Sequence, residues 1–131
     1  ADYFITQPVY SKEKIHEIYE ATKHLSTPIF IGIMPLTNSR NSEFLHNEVP
    51  GIKLSEEVLE RMRLCGEDRE RATAEGIQIS KELIDTAAEL FNGIYIITPF
   101  FRYDMSLELI HYIQENDREK ERGFSYVQTS N

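Results

Sequence analysis

An unbroken apolar run from Pro28 to Pro35 constrains the fold of this chain more than any other feature of its sequence. The run reads Pro-Ile-Phe-Ile-Gly-Ile-Met-Pro and contains no polar residue. A strand with one solvated face alternates apolar and polar residues, whereas a strand buried on both faces is apolar throughout. The run therefore predicts a buried strand of a parallel α/β sheet.

Two shorter runs of β-branched and aromatic residues indicate further strands. The first is Tyr3–Thr6, which ends in a loop at Gln7 and Pro8 because proline cannot continue a central ladder. The second is Ile94–Thr98. Apolar residues at helical spacing, together with capping residues, predict helices between and after the strands, over residues 11–25, 37–47, a short segment from Ser55, residues 67–91, and a segment capped by Asp104.

Strands that alternate with helices predict parallel strands joined by right-handed crossovers. Three strands make a narrow sheet, and a (β/α)8 barrel takes about 250 residues. We therefore interpret residues 1–114 as the last three βα units of a TIM barrel, followed by a polar tail over residues 115–131. A small doubly wound sheet is the alternative. The chain begins at Ala1 without a Met and enters a strand almost at once, which suggests a piece of a longer protein.

Charge and cysteine content argue against several classes of function. The formal net charge is −8, from 14 Lys and Arg residues against 22 Asp and Glu residues. This balance argues against nucleic acid and against an anionic membrane surface as partners. No apolar stretch approaches the roughly 20 residues needed to cross a bilayer. The single Cys65 cannot form a disulfide within the chain, and we expect a reducing, cytoplasmic location.

The three loops that follow the strands are the places where a parallel α/β fold binds ligands. Gln7 ends the first strand with an amide that both donates and accepts hydrogen bonds, as recognition of a pterin or flavin edge requires. Arg102 follows the third strand, and its guanidinium could hold a substrate carboxylate with two hydrogen bonds. Asn41, on the first turn of the helix after the second strand, lies towards the same rim. Each residue also has a structural alternative: Gln7 could cap local backbone, Arg102 could pair with Asp104, and Asn41 could be solvated.

The sequence does not contain the motifs of a pyrophosphate-binding loop, a metal site or a reactive cysteine. No Gly-x-Gly-x-x-Gly and no P-loop occurs, so no pyrophosphate-binding loop is predicted. The four histidines are scattered without metal-site spacing, and we predict no metal site. Cys65 precedes Gly66 at a helix end without a base beside it, and we interpret it as a structural thiol.

Three segments in this sequence carry a resemblance to a known family: Ala1–Gln7, Ile31–Pro35 and Ile97–Met105. Together they resemble the C-terminal part of the methylenetetrahydrofolate reductases, flavin-dependent barrel enzymes that reduce methylenetetrahydrofolate to methyltetrahydrofolate. The segments follow the family's order and spacing over residues 1–114. The sequence Asn-Glu-Val-Pro-Gly-Ile after the second strand is closest to bacterial members in which the reductase follows a homocysteine methyltransferase domain.

The resemblance implies roles for five residues. Gln7 matches the glutamine that hydrogen-bonds the pterin of the folate beside the flavin, and Ile5 matches a strand residue near the flavin ring. Arg102 matches the arginine that holds the glutamate tail of the folate. Asn41 stands where some relatives have a folate-contacting glutamine, and Leu45 where some have an aromatic residue that packs on folate or nicotinamide. Both of these positions depart from the family's residue types.

The resemblance also implies a ping-pong reaction. NADH or NADPH gives a hydride to FAD, and the flavin passes it to the methylene-folate after an acid opens the imidazolidine ring. In the family that acid lies on the first strand, and most FAD contacts come from the middle strands. None of these positions occurs in this chain. The resemblance therefore implies that the parent protein is the enzyme, and that this piece alone has no catalytic residue, no turnover and weak or no FAD affinity.

Two further interpretations are open. A different barrel enzyme could share these rim residues. Alternatively, the chain is a non-catalytic interaction module whose edge strand and exposed apolar helix faces pair with another copy. Open strand edges predict a homo-oligomer for the isolated chain. No residue in the sequence separates NADH from NADPH as the reductant.

Overall fold

The computed structural model describes residues 3–91, 93–97, 103–120 and 125–129, which form a parallel sheet with helical crossovers. The strands are β1 (Phe4–Pro8), β2 (Ile29–Ile33), β3 (Gly93–Ile97) and β4 (Ser125–Thr129), adjacent in that order. The helices are α1 (Lys12–Thr22), α2 (Ser39–Glu48), α3 (Glu56–Arg63), α4 (Arg69–Leu90) and α5 (Tyr103–Lys120). The predicted α/β class is confirmed, and the arrangement is consistent with part of a (β/α)8 barrel.

The apolar run predicted as a buried strand is β2. It pairs in parallel with β1 on one side and with β3 on the other. Ile31 and Ile33 are almost completely buried and lie opposite Ile94 and Ile96 of β3, which are equally buried. These side chains form the centre of the hydrophobic core.

The prediction that the first strand ends before Gln7 and Pro8 is corrected by the structure. β1 continues to Pro8, which pairs with Gly32 after a shift of register between Ile5 and Pro8. Among the described strands β1 lies at the edge of the sheet and pairs only with β2. Proline is tolerated there because no neighbour on the outer side needs its missing N–H.

Helix α1 is shorter than the predicted 11–25. The Ser11 hydroxyl caps its start by accepting a hydrogen bond from the Lys14 N–H at 3.0 Å. The helix ends at Thr22, and the Leu25 N–H then bonds the Thr22 carbonyl in a turn at 2.9 Å. Leu25 is 44% exposed, so its apolar side chain does not extend the buried face of the helix.

Helix α4 matches the prediction for residues 67–91 within two residues. The Asp68 carboxylate accepts from the Arg71 N–H at 3.1 Å and caps the start. Gly76, inside the helix, allows close packing, because a Cβ at this position would overlap the carbonyl oxygen of Leu36. Helix α4 therefore lies directly against the loop that follows β2.

Arg61 joins α3 to α4 through two carboxylates. Its Nε donates to Glu75 at 2.6 Å, and its two terminal nitrogens donate to Glu82 at 2.8 and 3.0 Å. All three side chains are partly buried. The hydrogen bonds from Arg61 lower the pKa of Glu82 below its ordinary value.

The interpretation of the chain beyond Gln114 as a polar tail needs correction. Helix α5 continues to Lys120, and Ser125–Thr129 forms β4 in parallel register with β3. The five residues of β4 are too few to show an apolar periodicity, and the strand forms by main-chain pairing with β3. The helix begins at Tyr103, so Asp104 lies in its first turn instead of before it.

Within the described ranges, no helix combines the length and the apolar character that are needed to cross a membrane.

Candidate functional site

The carboxyl ends of β1, β2 and β3 lie at one edge of the sheet because the strands are parallel. Gln7 lies near the end of β1, and Pro35 to Asn38 follow β2. The loop after β3 contains Arg102, which falls outside the described residues. The structure therefore bears on two of the three predicted rim loops.

The main chain around Gln7 is held firmly by β2. The Gly32 N–H donates to the Thr6 hydroxyl at 2.9 Å, and this hydroxyl lies 2.9 Å from the Gln7 carbonyl, to which it donates. The Val9 N–H donates to the Gly32 carbonyl at 3.2 Å. Strand β1 approaches so closely that a Cβ on residue 32 would lie 2.7 Å from the Thr6 carbonyl oxygen. Glycine at position 32 thus permits the irregular pairing that presents Gln7.

The Gln7 side chain is exposed and borders a cavity of about 490 Å³. Its lining brings together the end of β1, the start of α1 and the loop between α2 and α3: Thr6, Gln7, Pro8, Val9, Ser11, Glu13, Lys14, Glu17, Ile18, Gly51 and Lys53. Lys14 pairs with Glu17 at 3.2 Å. The cavity thus combines an accessible amide with charges of both signs, and an amide can bind a ligand that both donates and accepts hydrogen bonds.

Gly51 and Lys53 were not identified as site residues from the sequence. Gly51 has φ of +84°, and a Cβ there would lie 2.6 Å from Gln7 Oε1. The local signal was the Val-Pro-Gly turn, which predicts where a helix ends. It contains no information about which strand the turn approaches.

Ile5 lies two residues before Gln7 on β1 and is 40% exposed. Tyr3 and Phe4 are also exposed, and the Tyr3 ring contacts the ring of Phe30 with centroids 5.7 Å apart. An accessible apolar surface therefore lies next to the Gln7 amide along β1.

Tyr10 holds the residue that follows β2 through a hydrogen bond. This side chain is 2% exposed, and its hydroxyl donates to the Met34 carbonyl at 2.8 Å. Burial raises the pKa of the Tyr10 hydroxyl above its ordinary range. Tyr10 therefore acts as a neutral hydrogen-bond donor that holds the chain just before the second rim loop.

Asn41 takes part in the hydrogen bonds at the start of α2. Asn38 Oδ1 accepts from the Asn41 N–H at 2.7 Å, and Asn41 Oδ1 accepts from the Thr37 N–H at 3.2 Å. The first bond is the N-cap of α2, and the second joins Asn41 to the loop residue before that cap. Asn41 is partly buried, and its amide oxygen supports the second rim loop.

Leu45, one turn further along α2, belongs to the hydrophobic core. Its side chain is 7% exposed and offers little surface to a ligand, whereas the neighbouring Phe44 is 56% exposed. The structure thus leaves Gln7 at an open cavity and places Asn41 and Leu45 in supporting positions within α2.

A second cavity, of about 520 Å³, lies between the starts of α2 and α4 and is lined by residues 37–40, 66–69, 72 and 73. Arg40 and Arg69 line it together with Glu67 and Asp68, so its charges are mixed. The side chains of Asn38 and Asp68 already cap the two helices. These features do not select a ligand.

The histidines were predicted to form no metal site, and Cys65 to be a structural thiol. His46 Nδ1 accepts from the Leu54 N–H at 3.0 Å, which ties α2 to the following loop. The thiol of Cys65 is buried against the Arg61 carbonyl at 3.4 Å, and burial raises its pKa. In the part of the chain that the structure describes, no three metal-ligating side chains are grouped around one point.

Comparison with known proteins gives one finding. The family model described as methylenetetrahydrofolate reductase matches residues 1–116. The search of curated proteins returned no match.

Proposed function

The chain belongs to the methylenetetrahydrofolate reductase family, and from this premise we propose that it supplies the folate-binding rim of a reductase. The parent enzyme would convert 5,10-methylenetetrahydrofolate to 5-methyltetrahydrofolate, with NADH or NADPH as reductant. The observation that carries the proposal is the exposed Gln7 amide beside a cavity of about 490 Å³ at the carboxyl end of β1.

In this proposal Gln7 binds the pterin of the folate. A pterin edge carries adjacent donors and acceptors, which a glutamine amide can satisfy at once. The hydrogen bonds from Gly32 and Val9 hold the β1 main chain, so the amide starts from a fixed position. Arg102 would hold the glutamate tail of the folate, since a guanidinium binds a carboxylate with two parallel hydrogen bonds.

Asn41 and Leu45 enter the proposal as residues of α2 that border the folate. The Asn41 amide oxygen also accepts from the Thr37 N–H of the second rim loop, and Leu45 lies in the core. Substitution of either residue is therefore expected to change stability as well as folate affinity.

FAD is the cofactor that we propose for the parent enzyme. The residues present fit one side of a flavin, because Ile5 exposes an apolar side chain on the same strand as the Gln7 amide, and an isoalloxazine ring has apolar faces and polar edges. Ile5 would contact the ring and Gln7 its edge. When bound, FAD supplies the hydride chemistry, and the protein residues orient and exclude water. We assign no catalytic residue to this chain.

We also propose that this chain alone has no turnover and little FAD affinity, because the family's acid and most of its flavin contacts lie on strands that this sequence does not contain. The parent would be cytoplasmic, with no nucleic acid or membrane among its partners. Fusion to a homocysteine methyltransferase domain is the arrangement that the loop sequence after β2 favours.

One observation favours a second function for the isolated chain. Phe4 and Ile5 on β1, and Tyr3 just before it, are each at least 40% exposed, and β1 is the edge strand of the described sheet. Exposed apolar edge strands pair with other chains. We therefore propose that the isolated chain self-associates through β1, and sedimentation of a monomer at micromolar concentration would refute this.

The folate proposal is tested by Gln7→Ala in the reductase that contains this chain. Loss of hydrogen bonds to an uncharged ligand group is expected to raise KM for methylenetetrahydrofolate about tenfold. The matched control is Gln78→Ala, since Gln78 is an exposed glutamine on α4 whose amide donates to Glu82, away from the rim. Equal KM values for both variants would refute the assignment.

A further inference from the structure

The loop between α2 and α3 approaches Gln7 through a glycine. Gly51 has φ of +84°, a conformation that residues with a side chain rarely adopt. A Cβ at position 51 would lie 2.6 Å from Gln7 Oε1 and 3.6 Å from Gln7 Cδ. Real Cβ atoms do not approach an oxygen so closely, so any side chain at position 51 would displace the Gln7 amide or the loop.

The loop is not free to give way. Ile52 and Leu54, on the C-terminal side of Gly51, are 4% and 5% exposed and belong to the core. The Ile52 N–H bonds the Val49 carbonyl at 3.3 Å, and the Leu54 N–H bonds His46 Nδ1 at 3.0 Å. Two buried side chains and two hydrogen bonds thus fix the main chain of Gly51.

The main chain of Gln7 is also constrained, since the Thr6 hydroxyl before it and the Val9 N–H two residues after it both bond Gly32 of β2. Only the side chain of Gln7 can respond to a change at position 51. Its amide lies between a fixed strand and a fixed loop that are 44 residues apart in the sequence.

We infer that Gly51 is a positioning residue for Gln7: the missing side chain at position 51 leaves the space that the Gln7 amide occupies, and so determines where this amide points at the carboxyl end of β1. One consequence rests on the proposed function: the α2–α3 loop would affect the affinity for folate through the position of the Gln7 amide. The contact itself does not depend on that function.

The contact is tested by stability alone, in this chain. Gly51→Ala introduces both backbone strain and overlap with Gln7, whereas Gly66→Ala is a matched control with φ of +60° and nothing within 4 Å of its Cβ. We expect Gly51→Ala to lower the urea midpoint more in the original chain than in a Gln7→Ala background, where the overlap is gone. Gly66→Ala, which has no contact with Gln7, should lower the midpoint by the same amount in both backgrounds. Additive effects of Gln7→Ala and Gly51→Ala would overturn the contact.

The consequence for binding is tested in the reductase that contains this chain. Gly51→Ala is expected to raise KM for methylenetetrahydrofolate by a factor approaching that of Gln7→Ala, about tenfold. The double variant should show no further rise, and kcat at saturating folate should match that of Gly66→Ala. A KM equal to that of Gly66→Ala would overturn the inference.

Two outcomes separate this inference from the proposed function. If Gln7→Ala leaves KM unchanged, the folate role of Gln7 is refuted. The urea midpoints of the single and double variants at positions 7 and 51 still test whether the two residues are in contact. If Gln7→Ala raises KM and Gly51→Ala does not, the folate role stands and the positioning role fails. Should Gly51→Ala not fold, Gly51→Asn replaces it, because asparagine tolerates positive φ better and still adds a Cβ.

Discussion

Replacing Gly76 with alanine is expected to destabilise this protein, although alanine is the better helix former. Gly76 lies inside α4, and a Cβ there would overlap the carbonyl oxygen of Leu36. Leu36 is 1% exposed, and Tyr10 holds the chain two residues earlier through the Met34 carbonyl. The carbonyl therefore cannot move aside without disturbing the core and the loop after β2.

Two opposing contributions decide the sign of the effect. Helix propensity favours alanine over glycine by about 1 kcal/mol. Adding a group to a well-packed contact costs about 1–3 kcal/mol. We expect a cost near the upper end of this range, because the atom that the new Cβ meets is a main-chain oxygen and cannot rotate away. The free energy of unfolding should therefore fall by about 2 kcal/mol, which corresponds to a decrease in Tm of roughly 5–10 °C for a chain of this size.

The assay is thermal and urea unfolding of Gly76→Ala beside Ala74→Gly. Ala74 is an exposed residue of the same helix, so its replacement should cost only the propensity difference of about 1 kcal/mol. A Gly76→Ala variant that is as stable as the original chain, or more stable, would show that α4 does not press against the Leu36 carbonyl.

Two further predictions concern buried polar contacts. Arg61→Met removes the bonds to Glu75 and Glu82 and should lower the free energy of unfolding by about 1–2 kcal/mol at neutral pH. Because Arg61 lowers the pKa of Glu82, this carboxylate stabilises the fold above the ordinary glutamate range, and its contribution disappears as pH falls through the folded-state pKa. The original chain should therefore lose more stability than Arg61→Met on acidification, as measured by urea unfolding, and parallel losses would contradict this. Tyr10→Phe removes the 2.8 Å bond to the Met34 carbonyl and should cost about 1 kcal/mol. Because burial raises the pKa of Tyr10, this tyrosine should stay protonated during an alkaline absorbance titration of the folded protein. The absorbance change from tyrosine ionisation should therefore be the same in the original chain and in Tyr10→Phe. A smaller change in Tyr10→Phe would count against the burial of Tyr10.

Some parts of the candidate site could be predicted from the sequence. Gln7 was expected at the carboxyl end of a strand, and it lies there beside an open cavity. Asn41 was expected near the same rim, but its oxygen caps the Thr37 N–H. Leu45 was expected to face a ligand, and the packing of α2 buries it. Residue type and strand position identify a candidate, whereas its orientation depends on neighbours that are distant in the sequence.

The sequence by itself determined the elements whose causes are local. The apolar run before Pro35 required a strand buried on both faces, and Ser11, Asn38, Ser55 and Asp68 capped the helices that follow them. Capping bonds and helical periodicity act within a few residues, so they can be read from the order of amino acids.

Only the tertiary structure decided the contacts that join distant segments. It extended β1 through Pro8, because β1 has a partner on one side alone among the described strands, and it added β4, because β3 had main-chain groups left to pair. It also brought Gly51 to Gln7. Each of these depends on how buried surfaces pack across the whole chain, and no local pattern of residues encodes which two segments will meet.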